Sequence, residues 1–446
     1  MEKKWAELTP EEKREERFKQ WLEAPGVKFS SQEAEQAYKE RTKRVQDVLL
    51  MKEPDRVPVS LGGGNYAIYY GGSTLYKAMY DYEELCRAWR KFFYDFSEYT
   101  DIFGGPFAYN AKVFEKLGLK VYAWPGGGLS TNVSQYQFVE REYMKADEYD
   151  DFLLDPSDFA LRVVIPRTMT ALEPLKNLIP FSSMMGIGGA IDFVSIGANP
   201  DIRNAFQAIF DAGTELVKSG EILRALAMEI QAAGFPSIRS VFTLAPFDSV
   251  ADILRGTSGA SKDMYEQPDK MLEAIDKTSD MIIKQTIANA NALEVVAIAI
   301  PLHKGDDTFL SDKHYETFYW PTLKKLILAF RDEGLITMAV AEGRYERRLE
   351  VIQDVPKTWT HWTFDLTDMF RAKRIVGKNA SISGIFPHSL LLTGTAQDVE
   401  EYCRKLIEGC GVDGGFILHG GAVDTNPDPE KLRVFMKAAK EYGVYK

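Results

Sequence analysis

Three short β-branched and apolar runs in this sequence end in side chains that can move a proton or hold a ligand. The run Val295-Val296-Ala297-Ile298-Ala299-Ile300-Pro301-Leu302 leads into His303-Lys304-Gly305-Asp306-Asp307. Ile336 to Ala341 delivers Glu342 with Gly343 behind it, and Trp359 to Phe364 delivers Asp365, with Asp368 three residues on. A glycine beside an acidic or imidazole side chain lets the loop turn so that the side chain reaches a ligand. An imidazole titrates near neutrality, and a carboxyl whose pKa is raised can also serve as an acid, so His303 and Glu342 are candidate catalytic groups. Asp306 is a candidate substrate contact. Plainer readings stand beside these: His303 could cap a strand end, and Glu342 and Asp365 could be spent on ion pairs with Arg344, Arg347 or Arg348. His388 and His419 follow two later runs, while His361 falls inside one and suits a satisfied interior residue.

Side chains at strand ends act together only if a fold brings those ends to one place. Eight candidate strands fall at about 56–62, 181–187, 239–245, 295–302, 336–342, 359–365, 381–386 and 415–419, and helical periodicity at about 203–232, 262–291, 314–332, 367–376, 396–409 and 429–441 lies between or after them. Eight βα units are what a closed parallel barrel needs, and its loops converge at the C-terminal strand ends. The expected architecture is an α/β chain folded as a (β/α)8 TIM-type barrel over 54–446. Residues 1–53 read as an N-terminal helical extension, with capping signals at Thr9-Pro10-Glu11-Glu12 and Ser30-Ser31-Gln32-Glu33. An insertion after the first strand, residues 63–180, is rich in aromatics and glycine and would cap the barrel mouth. It places Asn65, Tyr66 and Tyr69 as candidate substrate-binding residues.

Composition narrows the ligand. With 54 basic and 65 acidic side chains the formal charge is −11, which repels nucleic acid and anionic membranes and favours a small molecule or a protein partner. Cys86, Cys403 and Cys410 carry no CxxC spacing, no early apolar signal segment is present, and no run approaches the length of a membrane span, so a reducing cytoplasm is expected. Gly62-Gly63-Gly64 and Gly126-Gly127-Gly128 are not followed by Gly-Lys-Ser/Thr, and no G-x-G-x-x-G opens a helix, so a nucleotide cofactor has no support.

Several blocks in order carry a resemblance. Ala245-Pro246-Phe247-Asp248 through Leu254-Arg255-Gly256, His303 to Ser311, and Thr393-Gly394-Thr395 to Gly415-Phe416-Ile417 resemble segments of the uroporphyrinogen decarboxylase superfamily, whose (β/α)8 barrels include corrinoid-dependent methyltransferases. The resemblance covers roughly 54–446. Decarboxylases of the family grip a tetrapyrrole's carboxylates with an arginine-containing loop after the first strand, whereas this chain has Leu61-Gly62-Gly63-Gly64-Asn65-Tyr66 there. Asp101, in Tyr99-Thr100-Asp101-Ile102, is similar to the decarboxylase's aspartate and by that resemblance is a candidate catalytic residue.

The thiol-activating members hold zinc with His-x-Cys and a later Cys, and nothing equivalent stands at Met338 to Glu342. The remaining relatives are O-demethylase-like enzymes that move a methyl group from an aryl methyl ether or similar compound to a corrinoid protein. Their zinc pattern, Glu-x14-Glu-x20-His, falls here on Glu350, Asp365 and Phe386. Asp can bind zinc and Phe cannot, so a metal would need His388, His303 or Glu342 to complete its shell. The resemblance thus implies a methyltransferase with a small methyl donor and a corrinoid carried by a partner protein, zinc or a general acid activating the leaving group, and a homodimer. A cofactor-free decarboxylase and a non-catalytic corrinoid-binding or ligand-binding barrel are the alternatives.

Overall fold

The computed structural model describes residues 3–420 and 426–445. Eight strands form one curled, wholly parallel sheet: β1 (Val59–Leu61), β2 (Ile102–Phe103), β3 (Ser240–Phe242), β4 (Ala297–Leu302), β5 (Ile336–Ala341), β6 (Thr360–Phe364), β7 (Ser381–Ile385) and β8 (Phe416–His419). Neighbours run β2-β1-β8-β7-β6-β5-β4-β3, consistent with a TIM-like barrel. Between the two outer strands of that order, the Phe103 N–H donates to the Pro236 carbonyl at 2.9 Å, just ahead of β3.

The second barrel strand is not the one expected. Residues 181–187 contain a 3-10 turn, Phe181–Met185, which leads into the helix Ile187–Ser195, and the short Ile102–Phe103 takes the place beside β1. Seven residues, with Phe181, Met184 and Ile187 spaced among two serines and a glycine, are too few for periodicity to distinguish strand from helix. A two-residue strand in turn has too few residues to show any period. The long excursion from the barrel therefore follows β2, over 104–239, while the β1–β2 connection is the shorter helical stretch 62–101. The helix expected at 262–291 is divided at Gln267, before Pro268, into Gly256–Glu266 and Pro268–Ala292.

The first two helices, α1 (Pro10–Glu23) and α2 (Gln32–Leu49), begin where the capping signals stand: Thr9 accepts from Glu12 N, and Ser31 from Ala34 N. Their apolar faces close the N-terminal end of the sheet. Phe18, Trp21, Val45 and Leu49 pack with Ile102, Val296, Ala297, Ile336 and Trp359, residues at or just before strand starts. Each such large side chain removed from water contributes about 1.5 to 3 kcal/mol. With that end sealed, chemistry is left to the opposite one. Among the described residues no helix is long and apolar enough to cross a membrane.

Candidate active site

The register of the sheet builds the site. Leu302 pairs with Ala341, Ala341 with Phe364, Phe364 with Gly384, and Gly384 with Leu418. The next residue on each strand therefore lies in one row at the C-terminal ends: His303, Glu342, Asp365, Ile385 and His419. Beneath the row, alternate residues such as Val340, Met338, Thr363 and Ala299 face inward. Several of these side chains are small, so the barrel keeps an open cavity of about 550 Å³ lined by Glu342, Asp365, Ile385, His388 and His419 at the top. A larger cavity, about 650 Å³, lies beside the helix Gly256–Glu266. Its central charge is already committed, since Arg255 pairs with Asp263 and Glu142, and the first of these cavities is the one on the strand ends.

His303 is held by two carboxylates from the segment after β3. Its backbone N–H donates to Asp248 Oδ2 at 2.9 Å, the Lys304 N–H to Asp248 Oδ1 at 3.1 Å, and the Tyr319 hydroxyl to Asp248 Oδ2 at 2.8 Å. Asp248 is fully buried, and burial, with the charge of Asp252, pushes it up to about 7 against the charge and N–H of His303 and the Tyr319 hydroxyl. Asp252, on the π-helical turn Ser249–Arg255, accepts from His303 Nδ1 at 2.6 Å. Nδ1 is thereby fixed, and Nε2 remains without a protein partner among the described residues. The hydrogen bond to Asp252 raises the His303 pKa, with the charges of Asp248 and Glu342 adding to it and desolvation opposing it. Lys304 Nζ, 3.4 Å from Asp252 Oδ1, donates to Thr257 Oγ1 at 2.8 Å.

Glu342 opens onto the cavity and keeps access to solvent there, while the barrel wall surrounds the rest of it. Desolvation raises its pKa, Asp365 and Asp252 add to the rise, and His303 opposes it. Gly343 makes this arrangement feasible: its φ is +82°, and a Cβ there would meet Asp306 Oδ2 at 2.6 Å. The Gly343 N–H also donates to Asp365 Oδ2 at 3.2 Å, which ties the two acidic strand ends together. Two of the three arginines that could have neutralised this pair are engaged elsewhere, Arg347 and Arg348 with Asp312 and Arg348 also with Asp307.

Other expected residues are placed elsewhere. Asp101 precedes β2 at the sealed end of the barrel, where its carboxylate accepts from Arg44, twice from Arg56, and from the Val59 N–H, all at 2.7 to 2.9 Å. It is a structural hub and lies outside the site. Asp306 accepts from Thr308 N, Thr308 Oγ1, Phe309 N and Arg344 N, so it staples the β4 and β5 loops instead of facing a substrate. Asn65 and Tyr69 both donate to the Ser134 carbonyl, at 3.0 and 2.9 Å, and Tyr66 is buried against Tyr70 and Phe92; none of the three lines the cavity. The sequence alone does not single out Asp252, which is 51 residues from His303 and whose only signal is membership of the 245–256 block.

The expected zinc set does not assemble. Glu350 is exposed on the short helix Leu349–Ile352 and accepts from Gln353 Nε2 at 3.0 Å, and Phe386 is packed edge-on against Tyr402 and Phe435. His388 does line the cavity, with Nε2 buried and, among the described residues, lacking a hydrogen-bond partner. Among the described residues, however, no three His, Cys, Asp or Glu side chains are grouped so that they could hold a metal ion. Below the row, His361 bonds Ser381 and Ser383 through its two nitrogens, and burial lowers its pKa to about 3; burial likewise lowers His419 to about 4.

A family model described as uroporphyrinogen decarboxylase (URO-D) matches residues 184–442. A solved methyltransferase from Methanosarcina mazei is similar over 90% of this chain and 98% of its own, with a TM-score of 0.56 and 15% identity, which shows a shared fold. No curated protein matches the chain.

Proposed function

The chain belongs to the uroporphyrinogen decarboxylase family, and from that premise and the geometry of the barrel mouth we propose that it transfers a methyl group from a small methylated donor, of the methyl ether class, to the Co(I) corrinoid of a partner protein. The observation that carries this reading is the row His303, Glu342 and Asp365 above an open cavity, with Asp252 behind the imidazole. In-line displacement at a methyl carbon breaks the C–O bond and leaves its electron pair on oxygen, and a bare alkoxide or phenoxide leaves poorly. A proton delivered to that oxygen lets it depart as a neutral alcohol or phenol. His303 is suited to deliver it: Nδ1 is anchored, Nε2 is free, and its raised pKa keeps the imidazolium populated towards neutral pH. Glu342, whose pKa is also raised, can return the proton to His303 or orient the ether oxygen. Zinc is given no role in this scheme, because the expected ligands do not converge.

Decarboxylation of a tetrapyrrole acid is less well supported. Such a substrate carries several carboxylates and needs cationic partners, yet the cavity lining contains no Lys or Arg among the described residues. The test is to mix the protein with free cob(I)alamin and a panel of methoxylated compounds and to follow methylcobalamin formation by absorbance. Methylcobalamin formation that depends on both protein and donor is the expected result. Release of CO2 from a porphyrinogen, with no methylation from any donor, would overturn the proposal.

A further inference from the structure

The cavity carries information about the charge of its ligand. Its walls are aliphatic at Ile238, Met338, Val340 and Ile385, and its rim presents the carboxyl groups of Glu342 and Asp365. His303 and Lys304, which follow β4, are both paired with Asp252, and neither lines the cavity. A ligand carboxylate drawn into this space would lose its hydration and face two acidic groups, with no Lys or Arg among the described residues that line the cavity.

The floor is polar but uncharged. Thr363, which lines the cavity, bonds Ser383 Oγ through Oγ1 at 2.8 Å; Ser383 bonds His361 Nε2 at 3.0 Å; and His361 Nδ1 bonds Ser381 Oγ at 2.9 Å. Thr363, Ser383 and His361 are 8%, 1% and 2% exposed, so the relay is a built part of the barrel interior. A neutral imidazole has one donor and one acceptor nitrogen, and each hydroxyl is both donor and acceptor. The chain can therefore run in either sense, and Thr363 can offer the cavity a donor or an acceptor. A ligand hydroxyl, itself both, is matched in either sense.

We propose that the cavity selects an uncharged methyl ether bearing a hydroxyl group, which is recognised at the floor through Thr363. The proposal rests on the methyl-transfer reading for the identity of the reacting group, but its test does not require methyl transfer. Calorimetric titration would compare 2-methoxyphenol, methoxybenzene, 4-hydroxy-3-methoxybenzoate and tetramethylammonium on the wild-type protein, Thr363→Val and Ser383→Ala. The wild type should bind 2-methoxyphenol about threefold to tenfold more tightly than methoxybenzene, the range of one neutral hydrogen bond. That preference should vanish in Thr363→Val and shrink in Ser383→Ala, which keeps the proposal testable if either variant fails to fold. The carboxylated ether should bind at least about tenfold more weakly, an unpaired buried charge being costlier than one lost hydrogen bond.

Tightest binding by tetramethylammonium, equal binding of the carboxylated ether, or a hydroxyl preference that survives in both variants would overturn the proposal. If the binding pattern appears and no methyl transfer is found, the methyl-transfer reading fails while the selectivity stands. If methyl transfer occurs and 2-methoxyphenol and methoxybenzene bind alike, the selectivity alone fails.

Discussion

At the scale of single residues, the proposed methyl transfer turns on one imidazole and the carboxylate behind it. Because Asp252 raises the His303 pKa, the ion pair contributes stability that is complete below the ordinary imidazole pKa and is lost as pH rises through the raised one. Activity that needs the imidazolium should fall over the same alkaline window. Asp252→Asn should move that descending limb to lower pH, while Asp252→Glu should largely restore it; pH-rate profiles of the methyl transfer, with an NMR titration of His303, would measure this. A limb unmoved by Asp252→Asn would remove Asp252 from the account. His303, Glu342 and Asp365 were legible in the sequence because each stands directly after a β-branched run. Asp252 was not legible, because its partner is brought to it only by the fold. Asp101 shows the converse, since the family likeness marked it for chemistry and the fold surrounds it with Arg44 and Arg56 at the sealed end.

At the scale of elements, the glycine behind Glu342 joins three loops. Gly343 takes a φ that disfavours a side chain and leaves no room for a Cβ beside Asp306, while its N–H holds Asp365. Gly343→Ala should cost about 1 to 3 kcal/mol of stability and displace Glu342, lowering activity in the fraction that remains folded; denaturant melts paired with activity per folded molecule would check both. Strands β4 and β5 were readable from six-residue runs that are almost wholly apolar, β6 and β7 from β-branched and aromatic residues (Thr360, Trp362, Thr363 and Phe364; Ile382 and Ile385), and β8, with four residues, is bounded by glycines on both sides. β2 was not, since two residues leave no pattern, and residues 181–187, with Phe181, Met184 and Ile187, resemble a strand although they fold as turns of helix.

At the scale of the whole molecule, the barrel divides its labour between its ends. Helices α1 and α2 and the Asp101 cluster serve stability at one, and the row of strand-end side chains forms the candidate site at the other. Asp101→Ala should therefore destabilise the protein by about 3 to 5 kcal/mol, as removal of one partner from a buried ion pair does, and leave turnover per folded molecule unchanged. Urea denaturation with parallel activity assays would show it, and a turnover defect without a stability defect would return Asp101 to the chemistry. The most direct test of the central claim is a single-turnover methylation of cob(I)alamin by 2-methoxyphenol with wild type and His303→Gln. Loss of about 100-fold or more in the rate of methyl transfer, the usual scale of a proton-donating group, is the expected result; a folded His303→Gln protein that transfers the methyl group at the wild-type rate would contradict it.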